Sequence, residues 1–230
     1  MNAPAPSENL ERLRAASKQL GVDILSSARI GEKRKQSFHP SIREIVTPLD
    51  YVLVLGIRLS PSVLETVKDA PTWTYYHHYR TVNTALDQAA LSIALECQRN
   101  GFAAMPIPAS QILDWDRLRG HLCHRELGQL AGIGWWGRNN LLVNARYGSH
   151  VRYVTVLTDL PLPERGMSGA PENCGDCHRC IEVCPVNAIQ ESPAYFKLDA
   201  CTAQLRRFSR SEKLNVMICG LCVRACGGKV

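Results

Sequence analysis

A chain of 230 residues with 45% apolar content is long enough to bury one substantial core and carry a smaller second unit. Its formal charge of +6 is modest, and no stretch approaches the roughly eighteen continuous apolar residues that a membrane span needs. The start, MNAPAPSENLER, lacks a basic region followed by an apolar run, so the expectation is a soluble, cytoplasmic protein with no membrane partner.

In chain order, residues 8–20 place Leu10, Leu13 and Leu20 on one helical face, with Ser7 as a cap and Gly21 at the stop. VDIL and YVLVLGIRL read as strands, and such continuous apolar runs suit a sheet covered on both faces. Between them GEKRK, residues 31–35, reads as a solvated basic loop, with contact to a phosphate backbone as the alternative. Residues 81–99 carry the strongest helical pattern, with Val82, Ala85, Leu86, Ala89, Ile93 and Ala94 on one side and Gly101 after the end. Just before it, His77, His78 and Arg80 in YYHHYR are groups that could face a cofactor's amides or a substrate phosphate; a solvated helix entry is the plainer reading.

FAAMPIP reads as an extended piece at a sheet edge, because proline cannot donate to a central ladder. Residues 116–131 read as a helix, and LLVN, the turn ARYGSH and VRYVTVLT as a hairpin. Helices and strands alternate, so the class is α/β or α+β. Cys97, late in an apolar helix, reads as a buried small residue, and Cys123 adjoins His124.

Ten cysteines in a reducing compartment argue against structural disulfides and for metal, and eight of them fall in the last 57 residues. The Pro- and Gly-rich stretch PLPERGMSGAPEN, residues 161–173, reads as a linker. It divides an α/β cofactor and substrate domain, 1–165, from a cysteine-rich domain, 166–230. In CGDCHRCIEVCP the spacing is C-x2-C-x2-C-x3-C-P, the bacterial ferredoxin run, whose fourth Cys points to the other cluster in two-cluster proteins. One run cannot close its own cubane. Crosswise pairing gives one 4Fe-4S cluster on Cys174, Cys177, Cys180 and Cys226, and another on Cys184, Cys201, Cys219 and Cys222. Zinc is the alternative, since CxxC pairs also make tetrahedral sites.

The second run departs from the ferredoxin pattern. Seventeen residues separate Cys201 from Cys219, and Gly227 stands where a Pro would follow the last Cys. The insertion reads as a helix carrying Arg206, Arg207, Arg210 and Lys213, a docking face or simply a solvated one. Two oxidised cubanes with their thiolates would bring roughly −4 of charge, leaving the loaded chain weakly basic.

GIGWWGRNN, residues 132–140, has three glycines within six residues. It follows a helix instead of a strand, so it is not a dinucleotide fingerprint; a tight turn or a close approach to a bulky ligand are both open.

AGIGWWGRNNLLVN, RYVTVLTDLPL and the double-cluster tail together resemble the epoxyqueuosine reductase family and its shorter relatives, kin to reductive dehalogenases. TYYHHYRTVNTALDQAA and GFAAMPIPAS add a fainter likeness. The resemblance implies a nitroreductase-related, cobalamin-binding α/β domain followed by a ferredoxin-like double 4Fe-4S domain. It implies a base-off cobalamin fed electrons one at a time by the clusters, with the cluster on Cys184, Cys201, Cys219 and Cys222 nearer the corrinoid. A flavin is the alternative cofactor.

Candidate cofactor contacts are Gly132, Gly134, Trp135, Gly137, Arg138, Asn139, Asn140 and Arg80. The resemblance implies an Asp as general acid; counting back from Gly132 reaches Leu118, with Asp114 and Asp116 near, so Asp116 is one candidate, and His124, at a place where the shorter relatives have His and with a pKa range suited to the task, is the preferred proton donor. Full-length members continue past the second cluster into a helical-repeat region that helps grip tRNA, whereas this sequence stops four residues after Cys226. A small-molecule or nucleoside-type electrophile is therefore expected ahead of tRNA. The expected partner is an external electron donor of ferredoxin or flavodoxin type. The competing function class is an electron-transfer protein that reduces a partner, for example reactivating a corrinoid protein.

Overall fold

The computed structural model describes residues 4–164 and 173–228, so the expected linker lies largely outside the described residues. The chain packs as two units that are each assembled from separate stretches. One is Met1–Ile57, Asn83–Ile133 and Arg152–Gly169; the other is Arg58–Val82, Gly134–Val151 and Ala170–Val230. The compact units are therefore not the consecutive stretches 1–165 and 166–230, because two upstream segments pack with the cysteine-rich tail.

The first unit is built around a four-stranded sheet. Along the whole chain the elements are α1 (Pro6–Gln19), β1 (Ile24–Arg29), the single turns α2 (Glu32–Lys35) and α3 (Pro40–Arg43), and β2 (Tyr51–Arg58). Then come α4 (Pro61–Leu64), α5 (Trp73–Arg99), β3 (Ala104–Ile107), α6 (His124–Leu130), β4 (Trp135–Trp136), β5 (Leu142–Val143) and β6 (Val151–Thr158). The tail holds α7 (Arg179–Glu182), a 3-10 turn at Pro193–Tyr195, α8 (Leu198–Ser211) and α9 (Leu221–Ala225).

The sheet order is β1-β2-β6-β3. β1 runs antiparallel to β2, with Ser26 opposite Val54, and β3 runs antiparallel to β6, with Pro106 opposite Val156. The continuous run of β2 is central, and Val52, Leu53, Val54 and Leu55 have no exposed surface, as a sheet covered on both faces requires. FAAMPIP contributes the edge strand β3, where the proline's missing N–H costs the ladder nothing. On α5, Val82, Leu86, Ala89, Ile93 and Ala94 are buried, and Cys97 is fully buried, as expected of a small apolar residue.

Four elements differ from the expectation. Helix α1 starts on Pro6, whose absent N–H is no loss at a first turn, and Glu8 accepts from the Ala5 N–H at 3.0 Å. Leu20 lies beyond its end and is exposed. Helix α5 begins eight residues early, at Trp73, so YYHHYR is helix; Tyr75 is 4% exposed and anchors that first turn.

The helix expected over 116–131 forms over α6 alone. Upstream, Asp114 bridges Arg119, its Oδ1 accepts the N–H groups of Asp116 and Arg117 at 3.1 and 2.9 Å, and Leu118 takes a φ of 51°. An aspartate side chain that satisfies the amides two and three residues on offers the backbone a turn in place of a helix. Finally, β5 pairs with β4, Trp135 opposite Val143, and not with β6.

GEKRK is also more than a solvated loop. Lys35 is 2% exposed, and its Nζ donates to Asp50 Oδ1 at 2.7 Å, the Thr47 carbonyl at 2.5 Å and Glu32 Oε1 at 3.0 Å. Burial opposes its charge, but the two carboxylates outweigh that and raise its pKa. A buried ammonium survives only with such partners. Asp50→Ala should therefore destabilise the protein by about 1–3 kcal/mol, read as a lower midpoint in chemical denaturation; an unchanged midpoint would show the network to be dispensable.

Candidate metal centre

The second unit gathers the eight tail cysteines. Around the first run the Cys177 N–H donates to the Cys174 carbonyl at 3.3 Å, Gly175 takes a φ of 53°, and α7 carries Cys180. Beyond α7 the Ala188 N–H donates to Cys184 Sγ at 3.3 Å. Cys201 lies in α8 and Cys222 in α9, with Cys219 before and Cys226 at the C-terminal cap. Gly220, between Cys219 and α9, has a φ of 88°, and a Cβ there would press on the Tyr75 ring. Only glycine lets the chain turn so close to that ring.

The thiols sort into two neighbourhoods. Burial first, then the negative fields of Cys226, Cys174 and Cys177, push Cys180 up to about 11. Burial likewise pushes Cys219 up to about 11, with Cys201 and Cys184 as its charged neighbours. Cys201 is raised by burial and by Cys184. Cys222 is driven well above the usual thiol range by burial, then by Cys219, Cys201, Cys180 and Cys184. These neighbours are the two crosswise sets read from the spacing, with Cys222 and Cys180 adjoining across them. Cys177 moves the other way, lowered by the hydrogen bond from the Arg179 side chain. Among the described residues no three His, Cys, Asp or Glu side chains close on a single ion.

GIGWWGRNN supplies β4 and the turn into β5, and two of its side chains, Trp135 and Arg138, reach the cysteine loop. Arg138 donates to the carbonyls of Glu191, Cys177 and Gly175 at 2.8, 3.0 and 2.9 Å. Trp135 is 3% exposed, and its indole N–H donates to Cys174 Sγ at 3.2 Å. Asn139 is buried, donating to Ser149 Oγ at 2.9 Å and accepting from the Leu141 N–H at 3.3 Å. The Trp136 indole donates to Asn140 Oδ1 at 3.0 Å. A Cβ on Gly134 would collide with the Val143 carbonyl, and one on Gly137 with the Val143 side chain. The glycines therefore let the ribbon's own strands meet. Gly132 lies in the first unit, with a φ of 74° just after α6.

Along the start of α5, His78 Nε2 accepts the Ser60 N–H at 2.9 Å, and Arg80 stacks over Tyr76. The basic residues Arg206, Arg207, Arg210 and Lys213 stand exposed on and just after α8. Sequence reasoning missed the clamp role of Arg138, the Trp135 bond to sulfur, and the pairing of His178 with Glu191 at 2.8 Å. An arginine and a tryptophan inside a Gly-rich stretch upstream of a cysteine loop were the available signal.

In the first unit, Asp116 is exposed in the Asp114 turn. His124 Nε2 sits 2.9 Å from the Pro108 carbonyl and Nδ1 2.8 Å from Thr155 Oγ1. A carbonyl can only accept, so Nε2 carries the proton and Nδ1 accepts from the hydroxyl. Burial pushes the ring down to about 4, with Arg152, Arg125 and His121 adding in the same direction. Nearby on β6, the Tyr153 hydroxyl is buried with no hydrogen-bond partner among the described residues.

Comparison with known proteins places these observations. Residues 170–190 match the family described as 4Fe-4S binding domain. Two curated relatives named epoxyqueuosine reductase are 28% identical. That of Aliivibrio fischeri aligns over 182 residues, 74% of this chain and 43% of its own length. That of Pseudomonas aeruginosa aligns over 152 residues, 65% and 38%. The chain thus spans less than half the length of these relatives.

Among solved structures, a catabolic reductive dehalogenase superposes with a TM-score of 0.74 at 20% identity, over 98% of this chain and 32% of that one. A reductive dehalogenase whose structure suggests a mechanism for B12-dependent dehalogenation gives 0.66 at 20%, over 83% and 27%. An epoxyqueuosine reductase with an epoxyqueuosine-modified tRNA-Tyr stem loop gives 0.56 at 18%, over 85% and 56%. These show a shared fold, mixed α/β with a 4Fe-4S segment. No helix among the described residues is long and apolar enough to cross a membrane.

The depressed His124 pKa fixes a sign. An unfolded ring takes its proton near 6.5 and the folded one only near 4, so between these values the unfolded chain binds more protons and stability rises with pH. Denaturation midpoints should fall from pH 7 to pH 5, and His124→Gln should show a smaller fall; an equal fall in both proteins would assign the effect to other groups.

Proposed function

We propose that this protein is an iron-sulfur oxidoreductase that carries two 4Fe-4S clusters and reduces a carbon electrophile with the help of a corrinoid. The observation that carries the reading is the sorting of eight thiols, all but the exposed Cys177 buried or half-buried, into two sets of four. Cys174, Cys177, Cys180 and Cys226 would hold one cluster, and Cys184, Cys201, Cys219 and Cys222 the other. This donor set fits the group: the matched ferredoxin-type run supplies three thiolates and needs a distant fourth.

For the corrinoid, support comes from the fold shared with a B12-dependent dehalogenase and from an unspent donor. The Tyr153 hydroxyl, buried and unpartnered among the described residues, suits an amide oxygen at the rim of such a cofactor, and Tyr153 is the residue we assign to hold it. When bound, the corrinoid supplies the cobalt redox centre that the hard bond-breaking chemistry needs.

The chain's own residues do the rest. The thiolates fix the clusters, Arg138 holds the shape of the loop that presents three of them, and Trp135 donates to one sulfur. We assign Trp135 and Arg138 to the support of the iron-sulfur loop, since their side chains are already engaged there, and Asn139 to holding the ribbon itself through Ser149. His124 acts as a positioning residue: a proton donor at neutral pH would need the imidazolium, which burial removes. The substrate class is an epoxide or organic halide, by analogy with the named relatives. One relative holds a modified tRNA stem loop, which returns a nucleoside within tRNA to the candidates. An external one-electron donor completes the scheme.

The test is anaerobic reconstitution with iron, sulfide, cobalamin and flavin, followed by desalting, metal analysis and an absorption spectrum. About eight irons per chain with corrinoid retained one to one is the expected result, and Cys201→Ser should lose one cluster signal while keeping the other. Iron without corrinoid or flavin would replace the enzyme reading with that of an electron-transfer protein. Retained flavin would put a flavin-dependent reductase in its place, and full iron with both signals in Cys201→Ser would refute the pairing.

A further inference from the structure

Sulfurs of both thiol sets accept hydrogen bonds. In the set of Cys184, Cys201, Cys219 and Cys222 these include backbone amides, Ala188 N–H to Cys184 at 3.3 Å and Leu221 N–H to Cys219. The set of Cys174, Cys177, Cys180 and Cys226 has side-chain donors as well: the Trp135 indole to Cys174 at 3.2 Å and the Arg179 guanidinium to Cys177.

Trp135 is not free to choose another acceptor. It is 3% exposed, its backbone is paired with Val143 in the ribbon, and the preceding Gly134 lies against the Val143 carbonyl. A buried indole N–H is almost always given a hydrogen-bond acceptor, and here that acceptor is a cysteine sulfur.

We propose that Trp135 is a positioning residue that tunes the iron-sulfur group on Cys174, Cys177, Cys180 and Cys226, its N–H···S bond raising that group's reduction potential. The inference rests on the two-cluster reading above. Each cluster accepts one electron from a one-electron donor, with no bond made or broken and no proton taken up. The added negative charge is shared with the ligating sulfurs, so a donor aimed at one of them favours the reduced state more than the oxidised one. Removing the donor must then lower the potential of that cluster and leave its neighbour where it was. Arg138 works alongside by fixing the loop carbonyls at Gly175 and Cys177, which keeps Cys174 under the indole.

The experiment is a redox titration of the full, reconstituted chain, poised with dithionite and mediators and followed by electron paramagnetic resonance. The wild type is compared with Trp135→Phe and with a chain carrying 3-benzothienylalanine at position 135, an isostere of tryptophan that lacks the N–H. Trp136→Phe, which removes the neighbouring indole that donates to Asn140, is the control.

With full iron retained, one of the two cluster signals should titrate at lower potential in both position-135 proteins, its reduced-to-oxidised ratio falling several-fold at fixed poise. A tenfold fall corresponds to about 59 mV for one electron. The isostere keeps the ring's volume, so it reads the donor alone if Trp135→Phe packs poorly. Signals that stay in place in the isostere, that shift together, or that shift equally in Trp136→Phe would overturn the inference. A wild type with well under about eight irons, or with a single cluster signal, would instead refute the two-cluster reading.

Discussion

The guanidinium of Arg138 donates to three carbonyls that belong to two turns of the tail, at Gly175, Cys177 and Glu191. The arrangement of the first cysteine loop depends on it. A loop that aims several thiols at one volume must turn its amides inward and its carbonyls outward, and outward carbonyls near a protein surface need a donor. Arginine suits the task because its planar fork carries five N–H groups in fixed directions. The side chain is only 14% exposed and also faces the Glu191 carboxylate at 3.6 Å, so its charge is shielded while its donors are used.

That arginine needs a platform, and the platform explains the composition of GIGWWGRNN. The ribbon β4–β5 is two residues wide on each side, too short to be stable by pairing alone. Gly134 and Gly137 let its strands approach, Asn139 ties it to Ser149, and Trp135 fills the space beside Cys174. The motif that could cradle a cofactor in sequence also supports, through Trp135 and Arg138, a cysteine loop in the structure. Both uses require glycines and small polar side chains, which is why composition could not separate them.

Much of the fold was legible because its signals are local. The apolar run of β2, the edge strand with Pro106 and the buried face of α5 follow from periodicity and proline chemistry alone. The misreadings share one cause, a competing interaction that periodicity does not register. The Asp114 carboxylate captures the amides of residues 116 and 117 and ends a helix before it starts. Lys35 looks like part of a solvated basic run until Asp50, Thr47 and Glu32 are seen around its ammonium. Proximity in sequence pairs LLVN with β6, whereas the partner of β5 is the Trp-Trp pair of β4. The ferredoxin-type run was legible for a different reason: its spacing is a local pattern, and spacing survives in sequence where packing does not.

The cysteine tail is not a self-contained insert. Its Gly220 turn closes against Tyr75, the Cys226 carbonyl accepts the Ser149 N–H at 2.9 Å, and His150 lies 3.1 Å from the Arg224 carbonyl. Position 148 must be glycine, because a Cβ there would strike that same Cys226 carbonyl and its φ is 59°. Residues 58–82 and 134–151 thus serve as the wall against which the last cysteines are placed. Bringing such distant segments together carries a loop-closure cost that grows only slowly with separation. Metal binding contributes free energy to whatever fold it requires. A ferredoxin-type run grafted on its own would lose Arg138, Trp135 and this wall together. The unit that would hold iron and sulfur is therefore the whole second unit, with the motif 174–185 as its most recognisable part.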